Sequence, residues 1–212
     1  MEAVAAVVRR IVYYGETLCV KPSAKSRSAI VVINMLKDMI ERGKPFPMPP
    51  EFKQTVVPKI ALLIQNARKA GIPVIYVCDA HRADDPEFSD FPAGAEHCVK
   101  GSGREQVIDE VKPLSGDYIV EKRRFSGFFG TDLDILLSEL GVDTLFFAGR
   151  PTNVCVLYTV ADAFQRGYSV VAVEDCLYSR TKEYHQSGLD AMIFARKTTL
   201  DGFLREYRGA EK

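Results

Sequence analysis

One stretch limits the fold of this chain more than any other. An apolar run over residues 144–148 stops at Gly149-Arg150-Pro151, and a helical pattern begins at Thr152. The apolar members of that pattern keep the spacing of a buried helix face. A strand that turns directly into a helix is typical of parallel α/β sheets, in which ligands bind at the carboxyl ends of the strands. This turn is therefore the first candidate for a functional site.

Cys155 lies in the first turn of the predicted helix, which Thr152 or Asn153 can cap. Unpaired N–H groups and the positive end of the helix dipole favour a thiolate there. Most free cysteines are instead small buried core residues. Position alone leaves both interpretations open.

The rest of the chain alternates strand and helix patterns. Residues 28–33 form a continuous β-branched run, as in a strand buried on both faces. The alternation predicts a three-layer α/β/α sandwich, Rossmann-like, with a mostly parallel sheet of about six strands. The predicted strands are 28–33, 72–78, 118–121, 144–148, 169–173 and 197–200. The predicted helices after the N-terminal arm are 58–70, 104–112, 131–140, 153–166 and 182–195.

Composition narrows the functional class. The 212 residues carry a net charge of zero and 47% hydrophobic residues, which suits one large core and predicts neither nucleic-acid nor membrane binding. The five cysteines are odd in number, without a CxxC pair, and predict reduced thiols in the cytoplasm. Residues 1–27 are predicted to be a helical arm and linker, because Val4, Val8 and Ile11 make an apolar stripe. Residues 28–212 form the predicted main domain.

Five stretches, taken together and in order, resemble one family. They are AIVVINMLKDMI, DAH, EHCVKG, EKRRFSGFFGTDLDILL and GRPTNVCVLYTVADAF. Their order and spacing resemble the isochorismatase-like cysteine hydrolases, and among these the nicotinamidase-related branch. The resemblance extends over residues 28–198 and leaves the N-terminal arm uncovered.

The resemblance implies an Asp–Lys–Cys triad on neighbouring strand ends. By matched position Cys155 is the nucleophile that attacks an amide carbonyl, and Lys122 is the lysine that lowers the pKa of its thiol. Taken alone, Lys122 reads as a solvated surface lysine within a charged run.

Two positions depart from the family pattern. Asn34 stands where the family has its aspartate, and an amide cannot accept a proton from a thiol at neutral pH. Asp38, four residues on, matches a second acidic position of the family; it is a helix-start cap or an ion-pair partner, or else the alternative base. Pro151 follows a peptide bond that the resemblance implies to be cis, and it lacks the N–H that would help to bind the oxyanion. Both departures predict weakened catalysis.

The resemblance also implies a metal site and a pocket wall. Asp79, His81 and His97 match a two-histidine, one-carboxylate set, which suits zinc or another divalent transition metal such as iron or manganese. Ordinary polar loop residues are the alternative. Phe125 and Phe128 are candidates for the wall of a pocket for a flat ring, although phenylalanine clusters are more often core.

Two functional hypotheses remain open. One is an amidohydrolase that cleaves a C–N bond of a small, nicotinamide-like amide, with weakened catalysis. The other is a catalytically silent member that binds a small molecule or a protein partner. In either case the striped N-terminal helix predicts a homo-oligomer, because its apolar face must be buried against protein.

Overall fold

Six parallel strands form one sheet, and the first, second and fourth of them along the chain are buried along their whole length. The structure is a computed structural model and describes residues 27–45, 47–90 and 96–207. The strands lie in the order β3-β2-β1-β4-β5-β6. Their bounds are β1 Ser28–Ile33, β2 Val74–Asp79, β3 Tyr118–Lys122, β4 Thr144–Gly149, β5 Ser169–Leu177 and β6 Arg196–Thr198. The predicted three-layer α/β fold is confirmed.

Strand β1 lies at the centre and is buried on both faces. Ile30 and Val32 pack into the core on one side of the sheet, and Ala29, Val31 and Ile33 pack into the core on the other side. Successive side chains of a strand point to opposite faces, so a run of five apolar residues supplies both cores at once.

Helices cover both faces. The α-helices are α1 Lys37–Ile40, α2 Val57–Lys69, α3 Glu87–Asp90, α4 Leu133–Glu139, α5 Leu157–Gln165, α6 Lys182–Ala191 and α7 Leu200–Tyr207. Two π-helical turns, Phe52–Val56 and Thr152–Val156, lead directly into α2 and α5, and Asp109–Val111 is a short 3₁₀ helix. Residues of α2 and α7 contribute to one core, and residues of α4, α5 and α6 contribute to the other.

The predicted helix over residues 104–112 is wrong except for its last turn. The carbonyls of Arg104 and Gln106 accept hydrogen bonds from the backbone N–H groups of Asp38 and Lys37, and Leu36 forms an antiparallel bridge with Val107. The segment therefore uses its backbone groups against Leu36 and the first residues of α1 instead of within a helix. A helical pattern in the sequence cannot reveal this tertiary pairing.

The strand order places the site at a defined point. From β1 the chain moves outward to β2 and β3, and then returns to the other side of β1 with β4. A crevice forms where the order reverses, beyond the carboxyl ends of β1 and β4. The predicted N-terminal arm lies outside the described residues, except for Arg27. Among the described residues no helix is both long and apolar enough to cross a membrane.

Candidate active site

Cys155 is held beside the end of β1 by a close approach of two strands. Gly149 ends β4 with φ +110°, and a Cβ there would lie 2.1 Å from the carbonyl oxygen of Ile33, so only glycine fits. The Arg150–Pro151 peptide bond is cis, as the resemblance implies. The chain then enters the π-helical turn Thr152–Val156, which carries Cys155 with 5% of its surface exposed.

Asn34 follows β1 and faces the sulfur of Cys155. Its backbone has φ +52°, a left-handed conformation that asparagine tolerates better than most residues. Its Oδ1 accepts a hydrogen bond from the backbone N–H of Asp79 at 3.0 Å, and this bond fixes which end of the amide is the nitrogen, Nδ2. That Nδ2 donates to Asp79 Oδ2 at 3.0 Å and to Cys155 Sγ at 3.4 Å. Asn34 is therefore a hydrogen-bond donor to the sulfur and not an acceptor of its proton.

Lys122 ends β3 and reaches the same sulfur from the other side. Its Nζ donates to Asp79 Oδ1, to the carbonyl oxygen of Arg124 at 2.8 Å and to Cys155 Sγ at 3.6 Å. Burial lowers the pKa of Lys122, but the attraction of Asp79 and Cys155 outweighs it, so the net shift is upward. Lys122 is thus a buried, charged ammonium group, and the alternative of a solvated surface lysine is wrong.

The environment of Cys155 raises the pKa of its thiol to about 11. Burial is the main cause, and the negative charge of Asp79 adds to it. Lys122 and Arg150 lower the pKa but do not compensate. In the ligand-free protein burial therefore favours the thiol form of Cys155, against the influence of Lys122 and Arg150, which favour the thiolate.

Arg150 is a buried residue of the site that sequence reasoning missed. Only 3% of its surface is exposed, and its Nε and Nη1 have no hydrogen-bond acceptor among the described residues. Burial lowers its pKa, against the opposing influence of Cys155, Asp79 and Cys98. The available signal was an arginine placed directly between the mostly apolar strand β4 and a proline.

The predicted metal ligands come together. Asp79, His81 and His97 are buried, and each offers one ligand atom within 4.8 Å of the others. The Nδ1 of His81 lies 3.4 Å from Asp85 Oδ2, a contact of the kind that orients a metal-binding imidazole. Two imidazoles and a carboxylate suit zinc, iron or manganese, so these residues fit such an ion. His81 also lies near Asp85 and Glu87, but these carboxylates already pair with Arg123 and Arg124.

A cavity of about 350 Å³ opens beside Cys155. It is bordered by Asn34, Asp79, Arg150 and Pro151, and by Phe125 on its outer side. Phe128 instead packs in the core, with Arg166 4.6 Å above its ring. Of the two predicted wall residues, only Phe125 borders this cavity.

Two further polar residues support the structure around the site. Asp38 is fully buried, pairs with Arg42 Nη1 at 3.0 Å and accepts the backbone N–H of Cys98 at 2.8 Å. These contacts hold the loop of His97, and none of them is to Cys155. His185 Nδ1 forms a hydrogen bond with Thr152 Oγ1 at 2.8 Å. Thr152 begins the turn that carries Cys155, so this contact supports the turn.

The fold and this cluster define a class of three-layer α/β proteins with a cysteine beside a buried lysine at the carboxyl ends of the strands. The isochorismatase domain model matches residues 28–202, so the chain belongs to the isochorismatase family. It is 35% identical over 153 residues to ureidoacrylate amidohydrolase from Acinetobacter baylyi, a match that covers 63% of this chain and 62% of that protein. It is 28% identical to N-carbamoylsarcosine amidase from Arthrobacter, covering 73% of this chain and 61% of that protein.

Solved structures agree with this assignment. An isochorismatase-like hydrolase from Alkaliphilus metalliredigens is 35% identical, with a TM-score of 0.79 over 86% of this chain and 100% of that one. A pyrazinamidase/nicotinamidase from Streptococcus mutans is 29% identical, with a TM-score of 0.72 over 80% of this chain and 99% of that one. The chain accordingly belongs to a family of hydrolases, and the predicted relation to nicotinamidases is confirmed.

Proposed function

We propose that the protein is a cysteine amidohydrolase for a small amide. Cys155 Sγ attacks the amide carbonyl, the C–N bond breaks, the amine leaves with a proton, and water hydrolyses the resulting thioester to a carboxylic acid. The observation that carries the proposal is the convergence of Lys122 Nζ at 3.6 Å and Asn34 Nδ2 at 3.4 Å on Cys155 Sγ. Both donors stabilise negative charge on the sulfur.

Catalysis is weaker than an aspartate at position 34 would allow. A well-placed general base contributes roughly 10²–10⁴ in rate, and Asn34 cannot supply one. Pro151 offers no N–H to the oxyanion, and such a donor is worth roughly 10²–10³ in rate. The two losses affect the same step, so they are not multiplied. Asp38, the alternative base, is committed to Arg42 and the backbone N–H of Cys98.

Asp79, His81 and His97 are the proposed ligands of zinc or another divalent transition metal. When bound, such an ion supplies Lewis-acid polarisation and a binding point for a substrate heteroatom. Asp79 also accepts hydrogen bonds from Lys122 and Asn34, which connects the metal ligands to the residues around Cys155. Asp85 fixes the ring of His81.

The cavity of about 350 Å³ is the size of a small-molecule site. Phe125 offers it one aromatic wall, which suits a flat ring such as that of nicotinamide. The relatives named for ureidoacrylate and N-carbamoylsarcosine support carbamoyl compounds as a second group of substrates. All of these are small molecules with a C–N bond at a carbonyl.

A substrate panel tests the proposal. Purified protein, with and without added zinc, is incubated with nicotinamide, pyrazinamide and ureido compounds, and ammonia release is measured against Cys155→Ala. We expect slow turnover of at least one compound, abolished in the variant. Turnover that survives in Cys155→Ala contradicts the proposed nucleophile.

A catalytically silent binding protein is the second candidate. The pKa of about 11 for Cys155, together with Asn34 and Pro151, favours it. The same panel separates the two functions, because a silent protein binds a panel compound without releasing ammonia.

Assembly and location remain predictions. A homo-oligomer is expected from the apolar stripe of the N-terminal arm, and light scattering at the monomer mass contradicts it. A cytoplasmic location is supported by the four free, buried thiols of the described residues, Cys78, Cys98, Cys155 and Cys176.

A further inference from the structure

A second cavity adjoins the cavity beside Cys155, and the proposed reaction does not use it. Its volume is about 330 Å³, which is the size of a small-molecule site. His81, Arg123 and Arg124 border both cavities, so these three residues form the wall between them. The second cavity is otherwise lined by Ala80, Arg82, Lys100, Glu121, Phe129 and Gly130.

Positively charged side chains dominate the lining of the second cavity. Its cationic residues are Arg82, Lys100, Arg123 and Arg124, and its acidic residue is Glu121. Glu121 pairs with Lys100 at 2.5 Å. Arg82 is exposed and forms no ion pair among the described residues. The acidic side chain of the lining therefore leaves most of its positive charge available to a bound anion.

The two arginines of the wall keep donors for such an anion. Nη1 of Arg123 lies 3.4 Å from Asp85 Oδ2, and Nη1 of Arg124 lies 2.7 Å from Glu87 Oε2. These carboxylates partly neutralise the wall, but the pairs use one nitrogen of each guanidinium, so Nε and Nη2 remain for another acceptor. Both arginine side chains are more than a third exposed, and ion pairs of that kind contribute little to stability. A ligand can therefore compete for these arginines at small cost.

Phe129 adds an aromatic surface to the second cavity. Its side chain is 66% exposed, although a phenylalanine is normally buried. A flat ring of a ligand can stack on such a side chain, while guanidinium groups beside it bind a phosphate through charge-assisted hydrogen bonds. The lining thus combines the two kinds of group that recognise an aromatic phosphate ester.

We propose that the second cavity binds a small phosphate ester that carries a flat aromatic ring, such as a nucleoside monophosphate. Phosphate is favoured over carboxylate because four separate cationic side chains line the cavity, and a phosphate ester offers them three charged oxygens where a carboxylate offers two. The site is distinct from the cavity beside Cys155, and the proposal does not depend on the amidase activity.

Calorimetry with adenosine 5′-monophosphate (AMP), adenosine and inorganic phosphate tests the proposal. EDTA is present, so that no metal ion near His81 binds the phosphate. We expect AMP to bind at least about tenfold more tightly than either other probe, because only AMP carries both the ring and the phosphate.

Arg82→Gln should weaken AMP binding roughly tenfold, since Arg82 lines only the second cavity and the variant loses a charged donor. Arg205→Gln is the matched control, because Arg205 is an exposed arginine of α7 and its loss changes the net charge equally. At about 0.15 M salt a distant charge is screened, so we expect an effect below about threefold.

Phe129→Ala should weaken AMP binding roughly tenfold and leave the binding of inorganic phosphate unchanged, because it removes only the stacking surface. Phe129 is exposed, so we expect the variant to fold, and thermal unfolding checks this. Phe125→Ala is the matched control, because Phe125 borders only the cavity beside Cys155, and we expect AMP binding to be unchanged.

The outcomes decide the site whether or not the protein hydrolyses amides. Loss of AMP binding in Arg82→Gln and Phe129→Ala, but in neither control, supports the proposal. Failure of AMP to bind at about 1 mM, or binding that both variants leave unchanged, overturns it. Phosphate that binds as tightly as AMP refutes the aromatic part of the ligand. Weakened AMP binding in Phe125→Ala places AMP in the cavity beside Cys155 and also counts against the proposal.

Discussion

Asn34 controls what Cys155 can do, because its side chain is fixed from two directions. The backbone N–H of Asp79 holds Oδ1, and the carboxylate of Asp79 holds Nδ2, so the amide cannot rotate to offer its oxygen to the sulfur. Nδ2 then lies 3.4 Å from Cys155 Sγ as a donor. The residue suits a thiolate once one is formed, but it does nothing to remove the proton.

Replacing Asn34 with aspartate introduces the missing proton acceptor. We expect Asn34→Asp to raise the rate of Cys155 acylation. The upper bound is roughly 10²–10⁴, the contribution of a general base. The expected gain is smaller than this bound, because Pro151 still lacks the N–H that would bind the oxyanion. Stability falls, since two carboxylates at positions 34 and 79 repel each other. Single-turnover acylation and thermal unfolding measure the two effects.

The double variant Asn34→Asp/Pro151→Ala separates the two defects. It restores both the base and the N–H, so its acylation rate exceeds that of Asn34→Asp alone if the turn keeps its shape. The parent protein could already turn over substrate at an ordinary enzymatic rate, with no change in Asn34→Asp. That result would contradict our interpretation that Asn34 leaves Cys155 without a general base.

The thiol of Cys155 provides a pH test. With a pKa of about 11, only a small fraction is ionised at pH 7. Alkylation of Cys155 by iodoacetamide, followed by peptide mass spectrometry, should accelerate about tenfold per pH unit between pH 7 and 9.5, because only the thiolate reacts.

Lys122 lowers the pKa of Cys155, so Lys122→Met should slow alkylation at every pH in this range. A plateau below pH 8 in the parent protein would show a resting thiolate and refute this description of the site.

At the scale of secondary structure elements, the turn that carries Cys155 is supported by helix α6. Gly188 of α6 packs directly on the backbone of this turn. A Cβ at Gly188 would lie 2.7 Å from the nitrogen of Asn153 and 2.8 Å from the carbonyl carbon of Thr152. These are backbone atoms, which cannot move aside as a flexible side chain can. The position of Cys155 therefore depends on a small residue in a neighbouring helix.

Gly188→Ala is expected to destabilise the protein and misplace Cys155. Alanine improves helix propensity by up to about 1 kcal/mol, but overpacking typically costs about 1–3 kcal/mol, so the clash prevails. Chemical denaturation and amidase rate are the readouts. Ser187→Ala is the control, because it changes the exposed neighbour without adding atoms at the contact. Gly188→Ala protein with unchanged stability and rate disproves the close contact.

The bounds of the strands and helices show where sequence patterns predict secondary structure correctly and where they do not. The predicted strand 28–33 is confirmed residue for residue, and 118–121 is one residue short. The first follows from the continuous apolar run that a strand buried on both faces requires. Strand β5 instead continues to Leu177, past Glu174 and Asp175, where polar residues hide the extension. The helix α7 was missed, because the short strand 197–200 was predicted to extend into its start.

At the scale of the whole molecule, four strand ends and a long loop supply the site. Asn34, Asp79 and Lys122 follow or end β1, β2 and β3. Cys155 follows β4, and His97 comes from the loop between β2 and β3. The backbone of His81 pairs with that loop through Cys98 and Lys100, which brings His97 to the strand ends. A metal ion bound there would tie these segments together.

Metal binding is therefore expected to stabilise the folded protein. Protein purified without chelator should contain about one transition metal per chain by elemental analysis, and zinc added to apoprotein should raise the melting temperature. His97→Ala should lose both effects. His185→Gln is the control, since the third histidine of the chain lies outside the ligand set. Apoprotein that takes up no metal leaves the two loop histidines with structural roles only.

From the sequence alone we predicted the layers of the fold, the family and, apart from Arg150, the residues that meet around Cys155. This was possible because strand burial and helix periodicity are local patterns, and because the matched motifs occur in a fixed order. The charges and hydrogen bonds of the site could be described only once the folded structure was known. The orientation of the Asn34 amide, the raised pKa of Cys155 and the unpaired guanidinium of Arg150 depend on burial and on partners distant in the chain. Residue spacing does not encode these quantities, because they arise only when the strand ends are packed together and water is excluded.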